Sequence, residues 1–189
     1  IAPEQLENLP VGTQGPGYRW IDLDGEGLSG VLSEQLGGWY YKPNRGDGTF
    51  GPMRLVAPVP AMATAAGSQH QFMDLAGNGE IDVVEFNGPA PGFHERSHDT
   101  GWKQHVPFAS LPNIDWNDPN LRFVDLTGDG HADALITEHE VFTWYPSLDE
   151  RGFDAAQRTR QPMDEDAGPH LVFADGTQSI FLADMCGDG

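Results

Sequence analysis

Three spellings of one nine-residue cassette set oxygen-bearing side chains at alternating positions around a glycine turn: DLDGEGLSG from Asp22, DLAGNGEID from Asp74 and DLTGDGHAD from Asp125. Positions 1, 3, 5 and 9 hold Asp22, Asp24 and Glu26 in the first copy, and Asp74, Asn78 and Asp82 in the second. The third has Asp125, Thr127, Asp129 and Asp133. A curled loop with this spacing can wrap a hard cation, because calcium takes six to eight oxygens at about 2.3–2.6 Å. No copy has the full set: Gly30 fills position 9 of the first, Ala76 position 3 of the second and Thr127 position 3 of the third. Any calcium held here is therefore expected to be weakly bound, at ~10⁻⁴–10⁻³ M, and no cofactor is required. The same aspartates can instead accept hydrogen bonds from the loop's own amides and fix an Asx-type turn without metal. The sequence leaves both readings open.

Two shorter motifs also carry chemistry on paper. His94, Glu95 and His98 spell HExxH, the zinc-protease pattern, which needs a helix to bring residues i and i+4 onto one face. Pro89, Pro91 and Gly92 precede it and Gly101 follows, so a strand or hairpin is expected there and catalytic zinc is not. Arg45, Gly46 and Asp47 form an RGD tripeptide whose glycines a tight turn needs in any case. Glu85 falls at the twelfth position of an EF-hand-like count from Asp74, but Asn87, Gly88 and Pro89 cannot supply an exit helix. There is no nucleophile elbow and no phosphate-cradling Gly-Lys motif, so no enzymatic activity is expected.

The cassettes recur. Their opening aspartates, Asp22, Asp74, Asp125 and Asp184, are spaced by 52, 51 and 59 residues, the last copy being incomplete at Gly189. Aromatic residues keep the same register: Trp20, Phe72 and Phe123 stand two before the first Asp. Tyr41, Phe93 and Trp144 stand 19 after it, and Phe50, Trp102 and Phe153 stand 28 after it. These nine are the expected repeat core. Strands are expected at 18–22, 31–33, 39–41 and 53–56 in the first repeat. Those of the third are expected in RFVDL, ADALIT, VFTWYP and GFDAAQR. Four short strands per roughly 50 residues, with no helix of length, predict an all-β fold, a partial β-propeller of about three and a half four-stranded blades. The expected division is a linker at 1–17, repeats at 18–69, 70–121 and 122–180, and a truncated fourth at 181–189. QPMDEDAGPH, from Gln161, reads as an exposed loop.

A net charge of −19, from 10 Lys and Arg against 29 Asp and Glu, would repel phosphate backbones and anionic lipid, so neither nucleic acid nor direct membrane binding is expected. The single cysteine, Cys186, excludes an internal disulfide. About three and a half units cannot close a ring of four to eight blades. The chain is therefore expected to be a piece of a longer protein or, in isolation, to form a homodimer through its first and last repeats.

The cassette together with WYYKPNRGDGTFGP resembles FG-GAP/VCBS propeller repeats. PGFHERSHDTGW, FASLPNIDWNDPNLRFVDLTGDGHADALIT, VFTWYPSL and LVFADGTQSIFLADMCGDG resemble the B component of bacterial insecticidal toxin complexes (Tc toxins, TcdB/TcaC type), a group related to SpvB-like proteins. The resemblance spans Tyr18 to Gly189. It implies a secreted protein whose propeller closes a shell formed with the C component and docks on the pore-forming A component, gating toxin passage without chemistry of its own. FG-GAP repeats also suggest an alternative, a calcium-dependent adhesion or carbohydrate-binding propeller.

Overall fold

The computed structural model describes residues 18–35, 37–57, 59–60, 70–97, 101–162, 166, 168, 170–174 and 180. The linker at 1–17, His98, the fourth cassette with Cys186, and much of the loop after Gln161 lie outside these residues. The chain divides into two compact units between Pro107 and Phe108.

In the first unit, β1 (Tyr18–Ile21), β2 (Gly30–Gln35), β3 (Gly38–Lys42) and β4 (Arg54–Val56) form an antiparallel meander in chain order. Alternation makes one face of it apolar. Ile21, Leu23, Leu32, Trp39, Tyr41 and Val56 are buried together with Val83 and Trp102 of the following repeat. Each such side chain removed from water contributes about 1.5–3 kcal/mol, which is what holds a sheet of such short strands together. Gly37, at φ +76°, lets the chain reverse between the paired ends Gln35 and Gly38.

The second repeat gives β5 (Gln71–Met73), β6 (Asp82–Glu85) and β7 (Gly92–His94), then the short β8 (Arg96–Ser97), β9 (Gly101–Trp102) and β10 (Val106–Pro107). Its main sheet has the order β10-β7-β6-β5, and β8 pairs with β9 beyond it. The fourth strand of the repeat is thus split into β9 and β10.

The second unit contains β11 (Leu121–Val124), β12 (Asp133–Thr137), β13 (Val141–Tyr145) and β14 (Gln157–Arg160), again an antiparallel meander. All five residues of β12 are buried, as expected of a central strand. The fourth strand lies later than expected. GFDAAQR begins with Phe153 bridging Ser147, and pairing with β13 starts only at Gln157. Residues 108–120, placed by the period at the end of the second repeat, pack on this third sheet. Ser110 Oγ donates to the Phe153 carbonyl at 2.7 Å, and the Phe153 amide donates back to Ser110 at 3.0 Å.

The aromatic register becomes a set of contacts. Trp39 meets Phe72 at 5.3 Å and Trp102 at 6.0 Å between ring centres. Trp116 meets Phe123 at 6.4 Å and Phe153 at 5.5 Å. In each case an indole covers the pair formed by the positions two before and 28 after the first Asp. Trp20 and Phe50 form the same pair, 6.0 Å apart. There the expected core position fails: Trp20 is 51% exposed, with Phe50 on one side and no covering indole among the described residues. Tyr41, Phe93, Trp102 and Phe153 are buried, while Phe50, Phe72, Phe123 and Trp144 are partly exposed.

Candidate cation-binding cassettes

All three complete cassettes share one backbone path. The glycines at positions 4 and 6 have left-handed φ in every copy: +68° and +78° at Gly25 and Gly27, +65° and +81° at Gly77 and Gly79, +75° and +88° at Gly128 and Gly130. Two such residues in one tight loop tip the intervening amides inward, toward the aspartate that opens it.

That aspartate accepts them. Asp22 accepts the amides of Glu26 at 3.0 Å and Gly27 at 2.5 Å. Asp74 accepts those of Asn78 at 3.1 Å and Gly79 at 2.7 Å. Asp125 accepts Gly128 at 2.7 Å, Asp129 at 3.2 Å, Gly130 at 2.8 Å and the Thr127 hydroxyl at 3.3 Å. The Gly130 amide, with smaller help from Gly128, Asp129 and Thr127, holds the Asp125 carboxyl below the usual carboxylate range. Position 5 is also engaged locally: Asn78 accepts the Glu80 amide at 2.8 Å and Asp129 the His131 amide at 2.9 Å. Asp24 turns away to Arg54, with Arg96 at 3.8 Å, while Glu26 is exposed.

Position 9 does something the spacing does not reveal. Asp82 and Asp133 are 1% and 0% exposed, turned into the sheet rather than into the loop. Asp82 accepts the amide of Leu75 at 3.1 Å and Asp133 that of Leu126 at 3.0 Å, the cassette's second residue in both. Asp133 uses its other oxygen for the Ser147 amide at 2.7 Å, whereas Asp82 Oδ1 has no hydrogen-bond partner. Burial pushes the Asp82 carboxyl up to about 7, against the lowering effect of the Leu75 amide. In the first repeat position 9 is Gly30, and the Tyr41 hydroxyl takes over: it accepts the Leu23 amide at 3.4 Å and donates to the Ile21 carbonyl at 3.2 Å. A Cβ at Gly30 would stand 2.5 Å from that hydroxyl oxygen, so phenol and carboxylate cannot both occupy the place.

Asp22, Asp74 and Asp125 thus point into their loops, and Asp82 and Asp133 into the sheets. Among the described residues no three His, Cys, Asp or Glu side chains come together as a metal-holding group. What the arrangement does chemically is tie a loop to the strands beside it. Sequence reasoning missed Tyr41 as a member of the set. Its signal was the coincidence of Gly30 at position 9 with a tyrosine, unique to that repeat, at the offset of 19.

The other motifs fall in extended chain. Residues 92–94 and 96–97 are strand, so the helix that HExxH requires is not formed there, and Glu95 is ion-paired with Lys103. Glu85 is buried within β6. The RGD triplet tips a hairpin closed by the Gly51 amide donating to the Pro43 carbonyl at 2.8 Å. There Asp47 accepts the amide of Thr49 at 2.9 Å and its hydroxyl at 2.5 Å, a turn-fixing role.

No protein-family model matches the chain, and no curated protein is similar enough to match. Among solved structures, the Tc holotoxin pore of Photorhabdus luminescens aligns with a TM-score of 0.62 at 24% identity over 76% of this chain. This chain spans only 7% of that one, and the likeness is one of fold. A lectin of Agrocybe aegerita that recognises non-reducing terminal N-acetylglucosamine aligns over 75% of this chain and 37% of its own, with a TM-score of 0.48 at 25% identity. A TcdB2–TccC3 complex aligns over 87% of this chain and 13% of its own, with a TM-score of 0.39 at 14% identity. No helix among the described residues is long and apolar enough to cross a membrane.

Proposed function

We propose that this chain is a propeller segment, with FG-GAP/VCBS-like repeats, of the B component of a secreted insecticidal toxin complex. Its work is to present a rigid docking surface to the pore-forming A component and to share a shell with the C component, gating the passage of toxin. The observation that carries the reading is the fold likeness to part of the holotoxin pore, which covers three quarters of this chain. The cassettes support it. Loops whose opening aspartates are satisfied by their own amides hold shape without an ion, which suits a passive scaffold better than a metal-gated receptor. No catalytic step is assigned to it.

The test is binding of the chain that carries this region to the A and C components, measured by biolayer interferometry with calcium and with chelator. Assembly of equal affinity in both conditions is expected. Failure to assemble, together with calcium-dependent retention on a glycan array, would replace this reading with that of an adhesion or carbohydrate-binding propeller.

A further inference from the structure

We propose that His94 and His105 form a two-imidazole site for a borderline divalent transition ion, with zinc as its probe. The inference does not rest on the toxin reading. The two histidines stand across neighbouring strands: Val106 pairs with Phe93 and Pro107 with Gly92, so the next facing position sets His105 opposite His94. Between that ladder and the pair Arg96–Trp102, three residue steps on one strand face four on the other. The extra residue is a bulge at 103–105, a device that re-aims a side chain. Here it turns His105 onto His94, with ring centres 5.4 Å apart and planes at 62°. Two imidazoles on one tetrahedral zinc, with Zn–N bonds of about 2.0–2.1 Å, have ring centres about 5 Å apart.

The tautomer of the neutral ring is set as well. His94 Nδ1 donates to the Lys103 carbonyl at 2.9 Å, which leaves the lone pair on Nε2. A bond from the other ring nitrogen to a backbone carbonyl is the one ligating histidines ordinarily make. His94 is 7% exposed, and its Nε2 has no partner. An unpaired basic nitrogen that deeply buried is costly unless something fills it. His105 is exposed, so an ion has a path from solvent. Its ring rests on Gly92, where a Cβ would come within 2.6 Å of Nε2, so the glycine makes room for it. Imidazole nitrogens select zinc, copper and nickel over calcium, and water completes the coordination. His139 and His170 also lie 5.4 Å apart, but both are exposed and neither holds a buried nitrogen without a partner, so this pair serves as the control.

The experiment is competition of the full chain against a zinc-chelating dye, with melting followed in parallel. One zinc per chain is expected, together with a melting temperature raised by zinc and unmoved by calcium at the same concentration. His105→Ala should weaken zinc at least tenfold while leaving metal-free melting nearly unchanged, because its side chain is exposed. His170→Ala should bind as the parent does. With copper(II), the nitrogen hyperfine pattern should fall from two imidazoles to one in His105→Ala. Absence of zinc binding in the parent chain, or binding that survives His105→Ala, overturns the proposal.

Discussion

Asp82 and Asp133 occupy the same ninth position of successive cassettes, are equally buried, and accept the same amide from the second residue of their loops. They differ in one oxygen. Asp133 completes its shell with the Ser147 amide. The counterpart of Ser147, 22 residues after the opening aspartate, is Arg96. Its amide faces Asp82 and lowers its pKa, yet Oδ1 is left without a hydrogen bond. Arg96 opens β8, which pairs with β9 outside the main sheet of the second repeat, so this edge answers to β9 rather than to the cassette. The lesson is that a repeated residue keeps its place while its energetic sign follows the neighbours. Two amide bonds make a buried carboxylate a tie, and one leaves it a burden when ionised.

The largest effect should come from the satisfied member. Asp133→Ala strands the Leu126 and Ser147 amides in the core and is expected to cost about 3–5 kcal/mol in denaturant unfolding, against about half that for Asp82→Ala. Equal losses would erase the distinction.

Next comes pH. The folded-state pKa of Asp82, about 7, lies above its unfolded value, so the native state keeps a proton that the unfolded chain releases near pH 4. Its contribution is therefore fully present below about pH 4, falls as pH rises, and levels off above about 7, a loss of a few kcal/mol at most. Asp82→Asn should flatten that slope in melts across this range. An unchanged slope would show that Asp82 is not its source.

A smaller effect extends the comparison to the first repeat. Tyr41→Phe removes the hydroxyl that stands in for the missing carboxylate and should cost about 1 kcal/mol, read from the urea midpoint. A neutral outcome would mean that the Leu23 amide is satisfied by water.

The smallest concerns the exposed end of the cassette. Asp125→Ala should lower the melting temperature modestly, and equally in chelator, since amides rather than an ion are its partners. Because the Asp125 pKa is depressed, that stabilisation is present above about pH 4 and is lost as pH falls through the lower folded value, so mutant and parent should converge in acid. A gap that closes in chelator at neutral pH would assign the loop a metal.

What the sequence determined by itself is everything closed within a few residues. The glycines at positions 4 and 6 and the aspartate at position 1 make each complete cassette turn, and the short β-branched and apolar runs around Val31, Val83 and Ala134 make the strands. The meanders of the first and third repeats follow, because neighbouring strands joined by short turns pair with each other, whereas in the second β7 pairs with β10 across the intervening β8 and β9. Only the tertiary structure decided which carboxylates are inside. A hydrogen bond from Ser147 to Asp133, or a tyrosine in place of an aspartate beside Gly30, joins residues whose meeting depends on how sheets are registered. The indoles show the same division. Trp39 lies on a strand and Trp116 in a connecting segment, at unrelated offsets from their cassettes, yet each covers an equivalent aromatic pair. Local spacing cannot encode that convergence, because burial rewards any apolar side chain that reaches the space, whichever part of the chain supplies it.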